Sequence, residues 1–350
     1  MKILFIDFST KLESVNDLAH RARGGMVTSL FRVSDALSQF GHNVCVLSDI
    51  KKAGKSYQGV SWVNLETGFP EMVDALVCNR GIGRGYAQIR ARHRVLWTHD
   101  LPHSGFATDP KMFGAFSRVV FMSRYAERVW RTFFKTIRKS VLIPNGVDKN
   151  IFKPLPKKKG QMIFCSAPNR GLKRIPLIYE AVKTRVGFPV AMKAFSNMGK
   201  LHPNEVRDEN QDGFSLAYKD CRESGVDLRN PIPQNELAKE LGESELMILP
   251  TDYPEICSNV ILQSLSCGTP VFTTGNLGSS KEWVAHFFNG ALTTFHPVDY
   301  MVYTVEMVRN IVAAYESKYM EQLSKNAAKT KIYSWEKIGK KWNKMLTRLK

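Results

Sequence analysis

The sequence predicts an α/β protein built from two doubly wound parallel-sheet domains. Short apolar runs alternate with amphipathic segments along the chain, which is the rhythm of a parallel sheet covered by helices. The alternation stops at a segment rich in Pro, Gly and Lys near residue 155 and then restarts. A chain of 350 residues that is 43% hydrophobic is long enough to form two such domains.

The first half opens with KILFIDF, a run typical of a buried parallel strand. Leu30, Val33 and Leu37 recur at helical spacing and predict the first helix, and Gly41 marks its end. The later strands are predicted at NVCVLSD, VDALVCN, RVLWTHD, RVVFMS and SVLIP, with a helix at YAERVWRTFF before the last of them. We assign residues 1–155 to this first domain.

The segment IPNGVDKNIFKPLPKKKG breaks the pattern and predicts the domain boundary. The alternation then resumes with the strand MIFCSA, the helix IPLIYEAV, the strands PVAMKAF and ELMILP, a helix from Asn259 and the strand PVFTT. Three helical stretches close the chain, ending with SWEKIGKKWNKMLTRL. We assign residues 156–331 to the second domain and residues 332–350 to a terminal helix.

The formal net charge of +18 is the strongest compositional feature. Residues 1–150 hold 22 Lys and Arg against 12 Asp and Glu, and the stretch from Lys318 to Lys350 adds ten cations against two acidic residues. This surplus predicts an anionic partner, such as a lipid headgroup layer, a phosphorylated acceptor or nucleic acid, although a solvated basic surface has the same composition. Candidate acceptor-binding residues in the run RGIGRGYAQIRARHR are Arg80, Arg84, Arg90 and Arg92.

The chain holds six Cys that stand singly, most of them in apolar surroundings, which predicts reduced thiols in a cytoplasm-like compartment. No apolar run exceeds strand length, so we expect a soluble protein. His99 and His103 are four residues apart, as in a helical metal site, but Pro102 argues against a helix there. We therefore predict no metal site.

Two strand-to-helix junctions are candidates for phosphate binding. At Gly24 and Gly25 the backbone is able to approach a ligand closely, and a helix N-terminus offers unpaired N–H groups to an anion. Around Gly171, the side chains of Arg170, Lys173 and Arg174 are placed to grip a diphosphate. Taken singly, the first segment is equally typical of a flexible turn and the second of a charged loop.

The stretch PEICSNVILQSLSCGTPV combines a carboxylate with a helix N-terminus. Glu255 precedes a helix that we expect to begin near Ser258 or Asn259, both of which are good N-caps. The backbone N–H groups of the first turn would then favour a phosphate beside Glu255. Gln263 follows at a spacing that reaches the same ligand from the helix.

Eight segments stand in a characteristic order along nearly the whole chain: GGMVTSL, WTHD, VVFMSRYAERV, IPNGVDKNIFKP, SAPNRGLK, PIPQNELAKEL, PTDYPEICSNVILQSLSCGTPV, and GSSKEWV followed by NG. Together they resemble the family-4 retaining glycosyltransferases of GT-B fold. The resemblance implies two Rossmann-like domains facing each other across a cleft. The C-terminal domain would bind a nucleotide-sugar donor and the N-terminal domain the acceptor, and the final helix would cross back onto the N-terminal domain.

The resemblance also implies roles for individual residues. Gly24 and Gly25 would approach the donor phosphates, His99 would lie near the sugar ring, Arg170 would neutralise the diphosphate, and Glu255 would hold sugar hydroxyls near the reacting carbon. Main-chain hydrogen bonds would come from Ile256, Cys257, Ser258 and Asn259. Members of this family need no metal, and departure of a UDP or GDP leaving group is assisted by cations and helix N-termini.

Gln263 stands where the family has a second Glu that accepts hydrogen bonds from the nucleotide ribose. A Gln keeps the acceptor oxygen and loses the charge, so we expect it to hold one ribose hydroxyl about 1 kcal/mol more weakly. In the phosphate loop, the family has an Arg and then a Lys before the Gly, whereas here Arg170 stands directly before Gly171. Lys173 or Arg174 would compensate.

The acceptor class stays open at this point. A lipid-linked glycan or a membrane surface suits the basic residues, and hydroxymethylated bases of DNA, as in phage-type enzymes, suit the Arg-rich first domain. A non-catalytic protein that binds sugar nucleotides or nucleic acid with the same fold is the alternative outside enzymes.

Overall fold

The computed structural model describes residues 1–15, 22, 24–68, 72–81, 89–102, 110–137, 139–201 and 213–349. The chain divides into two compact units, Met1–Gly146 with Tyr333–Lys350, and Val147–Ile332. The division thus falls before the predicted boundary at residue 155. The intervening segment packs with the second unit, since the Leu155 side chain closes over Gly242, where a Cβ would lie 2.9 Å from it.

The first unit contains an eight-stranded sheet in the order β3-β4-β2-β1-β5-β6-β7-β8, parallel except for the edge pair β3 and β4. Its strands are β1 (Lys2–Ser14), β2 (Asn43–Lys52), β3 (Gly54–Lys55), β4 (Ser61–Asn64), β5 (Met72–Asn79), β6 (Arg90–Trp97), β7 (Arg118–Phe121) and β8 (Ser140–Leu142). Helix α1 (Gly25–Gln39) follows β1, and helix α2 (Arg124–Phe133) lies between β7 and β8.

The predicted start of the first unit agrees with the structure. In β1 the side chains from Ile3 to Ile6 are at most 1% exposed, as a strand covered on both faces requires. Helix α1 buries Leu30, Val33 and Leu37. It ends where Gly41 takes a φ of 78°, a left-handed conformation that terminates helices.

The last helix, α10 (Trp335–Thr347), belongs to the first unit although it follows the whole of the second. Gly339 brings α10 against α1, because a Cβ at this position would overlap the Ala36 side chain. The ring of Trp342 packs 4.8 Å from Trp97 and 6.3 Å from Phe5, measured between centroids. The terminal helix therefore completes the aromatic core of the first unit, the position that the resemblance implies.

The second unit contains a six-stranded parallel sheet in the order β11-β10-β9-β12-β13-β14. Its strands are β9 (Lys158–Phe164), β10 (Ala191–Phe195), β11 (Asp227–Arg229), β12 (Ser244–Leu249), β13 (Val271–Thr274) and β14 (Gly290–Thr293). Its helices are α3 (Ile175–Arg185), α4 (Met198–Leu201), α5 (Ser215–Glu223), α6 (Gln234–Glu243), α7 (Asn259–Ser266), α8 (Tyr300–Glu316) and α9 (Met320–Lys329).

Several elements are not predicted by the sequence pattern, namely β3, β4, β11, β14 and the helices α4, α5 and α6. The four strands have two to four residues each and three of them lie at sheet edges. Segments this short carry too little periodicity to be recognised.

The six cysteines are all free. Within the described chain, no helix has the length and apolar character that crossing a bilayer requires.

Candidate active site

The strand order of the second sheet defines where a ligand has access. From β9 the chain continues to β10 and β11 on one side, whereas from the neighbouring β12 it continues to β13 and β14 on the other. In open parallel sheets, ligands bind outside the carboxyl ends of the strands at such a switch point. Arg170 lies in the loop after β9 and Glu255 in the loop after β12, so two predicted site residues flank this point.

These two loops touch at Gly171. This residue has a φ of 101°, and a Cβ here would overlap the carbonyl oxygen of Pro250. A side chain at this position would therefore separate the loops, and the left-handed backbone disfavours one as well. The glycine thus brings Arg170 within reach of the residues after β12.

Arg170 forms an ion pair with Glu255. Its Nε lies 2.6 Å from Oε1 of Glu255, and the two side chains are only 21% and 13% exposed. The guanidinium lies over the ring of Tyr253, with Cζ 3.7 Å from the ring centroid. Nη1 of Arg170 is buried and has no hydrogen-bond partner among the described residues, so this charged donor remains available.

Burial dominates the electrostatics of Glu255. It raises the pKa of the carboxyl above the usual glutamate value, and the charge and hydrogen bond of Arg170 oppose that rise without cancelling it. The carboxyl therefore takes up a proton more readily than an exposed glutamate. Such a perturbed acid beside a partly unpaired cation is typical of a functional site.

The backbone of Glu255 is held by the loop after β13. The N–H of Ser279 donates a hydrogen bond to the carbonyl oxygen of Glu255 at 2.7 Å. Gly278 has a φ of 69°, and a Cβ there would overlap both the N and O atoms of Glu255. The backbone that carries the Glu255 carboxylate is thus held in place where the loops after β9, β12 and β13 meet.

The helix after Glu255 begins where the sequence predicts. Helix α7 starts at Asn259 with Ser258 as its N-cap, but the Ser258 hydroxyl makes no capping hydrogen bond. The side chains of Ile256, Cys257 and Ser258 are buried. Main-chain hydrogen bonds from residues 256–259 to a phosphate stay a prediction from the resemblance.

The structure gives different environments to the cations that the sequence groups around Gly171. Arg174 is 4% exposed and donates to the Pro250 oxygen at 3.1 Å and to Oδ2 of Asp252 at 2.8 Å. These bonds engage Nη1 and Nη2 of Arg174 at the loop after β12, while its Nε is buried without a hydrogen-bond partner among the described residues. Lys173 is the exposed member of the predicted trio, and its Nζ lies 3.7 Å from Oδ2 of Asp252.

Gln263 is 6% exposed, and its Nε2 donates to Oε1 of Gln234, the first residue of α6, at 2.6 Å. Its own oxygen receives no hydrogen bond from the described part of the chain. The acceptor atom that the sequence analysis assigns to a ribose hydroxyl is thus not used by the protein itself.

In the first unit, His99 follows the end of β6. Its ring lies 4.5 Å from the ring of Trp97, and its Nε2 is buried without a hydrogen-bond partner among the described residues. Burial, and to a smaller extent the charge of Arg80, lower the pKa of His99 to about 3. The imidazole is therefore neutral at physiological pH.

The predicted acceptor-binding arginines do not form one surface. Arg80 lies beyond the carboxyl end of β5, has a φ of 70° and forms an ion pair with Asp100. Arg90 and Arg92 lie at the opposite, amino end of the sheet because β6 begins at Arg90, and Nε of Arg92 is 3.7 Å from Oδ1 of Asp74. Residues that are close in sequence thus lie at opposite ends of the paired strands β5 and β6, and Arg84 lies outside the described residues.

Helix α1 begins at Gly25 with Gly24 as its N-cap, as the junction in the sequence predicts.

No group of three His, Cys, Asp or Glu side chains in the described ranges is placed to hold a metal ion. His103, the second member of the pair considered in the sequence, falls outside those ranges.

Sequence reasoning did not single out Tyr253, Gln234 or Gly278. All three lie inside segments that carry the resemblance, at positions next to predicted site residues in the folded chain. An aromatic residue two positions before a buried Glu is a usable signal for Tyr253. The contacts of Gln234 and Gly278 join positions 29 and 23 residues apart in the chain, which no local pattern reveals.

No family model matches the chain, and no curated protein sequence matches it at significant similarity. Solved structures do match over 99% of the chain. Sucrose-phosphate synthase from Thermosynechococcus elongatus has a TM-score of 0.76 at 14% identity, with 98% of its own chain covered.

Two further structures match over their whole length. Anabaena HepE in complex with UDP and glucose has a TM-score of 0.69 at 16% identity, with 100% of that chain covered. WaaG, a glycosyltransferase involved in lipopolysaccharide biosynthesis, has a TM-score of 0.69 at 12% identity, with 99% covered. The chain therefore has the GT-B fold with two Rossmann-like domains, which confirms the predicted fold class and agrees with the resemblance stated from the motifs.

Proposed function

We propose that the protein is a glycosyltransferase that moves a sugar from a nucleoside-diphosphate sugar to an acceptor hydroxyl. One observation carries this proposal: Arg170 is held beside Glu255 at the switch point of the second sheet, with Nη1 buried and unpartnered within the described chain. A buried charged N–H group without an acceptor is costly, and an oxygen of a diphosphate would satisfy Nη1.

The proposed reaction follows from the charges that it develops. The bond between the anomeric carbon and the diphosphate oxygen breaks, and negative charge on the leaving group is stabilised by Arg170 and by the first N–H groups of α7. The acceptor hydroxyl attacks on the same face and gives its proton to the leaving phosphate oxygen, so the configuration is retained. Glu255 holds the sugar hydroxyls, and no metal ion takes part.

The donor is a UDP- or GDP-sugar in this proposal. Fold neighbours solved with UDP and glucose or with UDP-glucose support the first of these. The roles of Gly24, Gly25 and His99 towards the donor and that of Gln263 towards its ribose remain predictions from the resemblance. A thermal-shift screen of UDP- and GDP-sugars tests donor choice, because a ligand that binds the folded state raises the melting temperature.

Donor hydrolysis without acceptor tests catalysis directly. We expect slow release of free sugar from the preferred donor, insensitive to EDTA, and loss of this release in Glu255→Ala and Arg170→Ala. A matched control is Arg229→Ala, which removes an exposed arginine paired with Asp227 in the same unit. A wild-type protein that binds the donor and releases no sugar would support the non-catalytic alternative instead.

For the acceptor we propose a lipid-linked glycan, which the protein reaches at a membrane surface from a cytoplasm-like compartment. The net charge of +18 supports an anionic surface, and the lipopolysaccharide pathway of one fold neighbour supports a lipid-linked glycan. Cosedimentation with anionic but not neutral liposomes is the expected result. Salt-sensitive retention on DNA without liposome binding would favour hydroxymethylated DNA as the acceptor.

A further inference from the structure

Arg170 has contacts on two sides and an unused donor on a third. The Tyr253 ring covers one face of the guanidinium, with Cζ 3.7 Å from the ring centroid. Nε lies 2.6 Å from Oε1 of Glu255. Nη1 is buried and makes no hydrogen bond to any described residue. The ring and the carboxylate together restrict where the guanidinium lies.

Tyr253 is itself held by its loop. Its N–H donates to the Thr251 hydroxyl at 3.0 Å, and that hydroxyl donates to the backbone carbonyl oxygen of Tyr253 at 3.2 Å. Thr251 is fully buried, and its carbonyl accepts a hydrogen bond from the Thr274 hydroxyl. Asp252 is tied to Arg174 at 2.8 Å. Hydrogen bonds therefore hold the turn that contains Tyr253, and the backbone position from which its ring projects is fixed.

A long arginine side chain beside a carboxylate has an alternative geometry. Arginine side chains carry about 2 kcal/mol of rotamer entropy, and a carboxylate attracts two guanidinium nitrogens in a forked pair. In that arrangement Glu255 would occupy the donors that a phosphate needs. A flat aromatic partner stabilises a guanidinium and restricts its rotation.

We propose that Tyr253 is a positioning residue that holds Arg170 with Nη1 directed at the diphosphate of the donor. This inference rests on the proposed function, because it assigns a part to a neighbour of the same site. Tyr253 contributes an aromatic face, not its hydroxyl, so Tyr253→Phe keeps the effect and Tyr253→Leu removes it.

The test compares UDP with uridine, which shares the nucleoside and lacks the phosphates. We expect Tyr253→Leu to weaken UDP binding about tenfold in calorimetry, the scale of a desolvated cation–π contact, and to leave uridine binding within about twofold. Tyr253→Phe restores UDP affinity. In an Arg170→Ala background, Tyr253→Leu causes no further loss, because the ring acts through Arg170.

Tyr333→Leu is the matched control, since Tyr333 lies under Lys341 at 4.1 Å in the first unit. It removes a similar contact and leaves UDP affinity unchanged. The proposal is overturned if Tyr253→Leu binds UDP as the wild type does, if it weakens UDP and uridine equally, or if its loss persists without Arg170. If the wild type binds neither UDP nor GDP, the proposed function itself fails and this inference falls with it.

Discussion

Gln263 and Gln234 form a carboxamide pair in which Nε2 of the first lies 2.6 Å from Oε1 of the second. The pair joins the first residue of α6 to the middle of α7. Because the amide nitrogen of Gln263 is engaged, its oxygen is the atom left to accept from a ligand. This arrangement gives the residue that departs from the family pattern a defined orientation.

The first prediction concerns this residue. Gln263→Glu restores a charged acceptor, and Gln234 is able to rotate its carboxamide and donate to the new carboxylate. We expect donor affinity to rise by about 1 kcal/mol, roughly fivefold, measured by calorimetry with UDP-glucose. The same substitution at the exposed Gln322 of α9 is the control. Unchanged or weaker binding would argue that position 263 does not contact the ribose.

The second prediction concerns the support of Glu255. Gly278→Ala introduces a Cβ that overlaps the Glu255 backbone at a φ of 69°. Gly225→Ala is a matched control, because its φ is 80° and nothing lies within 4 Å of the added Cβ. We expect the control to lose about 1 kcal/mol of unfolding free energy through backbone strain alone, and Gly278→Ala to lose at least about 3 kcal/mol. Equal losses of unfolding free energy in the two variants, measured with urea, would show that the loop accommodates the added Cβ without an energetic cost.

The third prediction separates the two cations next to Asp252. Arg174 is 4% exposed and Lys173 is 60% exposed, yet both approach the same Oδ2 atom. Arg174→Met leaves the Pro250 oxygen and the carboxylate without their buried donor, and we expect a loss of about 3 kcal/mol in unfolding free energy. Lys173→Met should cost less than about 1 kcal/mol. If the two variants are equally stable, Arg174 does not brace the loop after β12.

The fourth prediction is a pH dependence. In the unfolded chain His99 takes up a proton near its ordinary pKa of 6.5, whereas burial keeps the folded pKa at about 3. Between these values the unfolded state binds more protons, so His99 lowers stability as the pH falls through this window. Relative to the wild type, His99→Gln should gain about 1.4 kcal/mol per pH unit below pH 6.5, measured by urea unfolding down to pH 4. A difference that stays constant with pH would contradict the buried, neutral imidazole.

The sequence by itself determined the class of fold and the starts of the elements that carry the site. Apolar strands, the stop at Gly41 and the helix that begins at Asn259 are local patterns, because strand and helix periodicities and end signals involve residues within a few positions of one another. The sequence identifies Glu255 and Arg170 as two separate site candidates and does not show that they pair. Their order along the chain suggested a shared ligand, and the structure joins them at 2.6 Å.

The tertiary structure alone decided which of several similar residues serves which purpose. Arg170 and Arg174 are four positions apart, yet the first pairs with Glu255 and the second with Asp252, 85 and 78 residues away in the chain. Arg80 and Arg90 belong to one basic run, yet Arg80 lies at the carboxyl end of β5 and Arg90 at the amino end of β6. The cause is common to both comparisons: sequence spacing sets the element on which a side chain stands, and contacts with distant strands and loops set which partner its charge has.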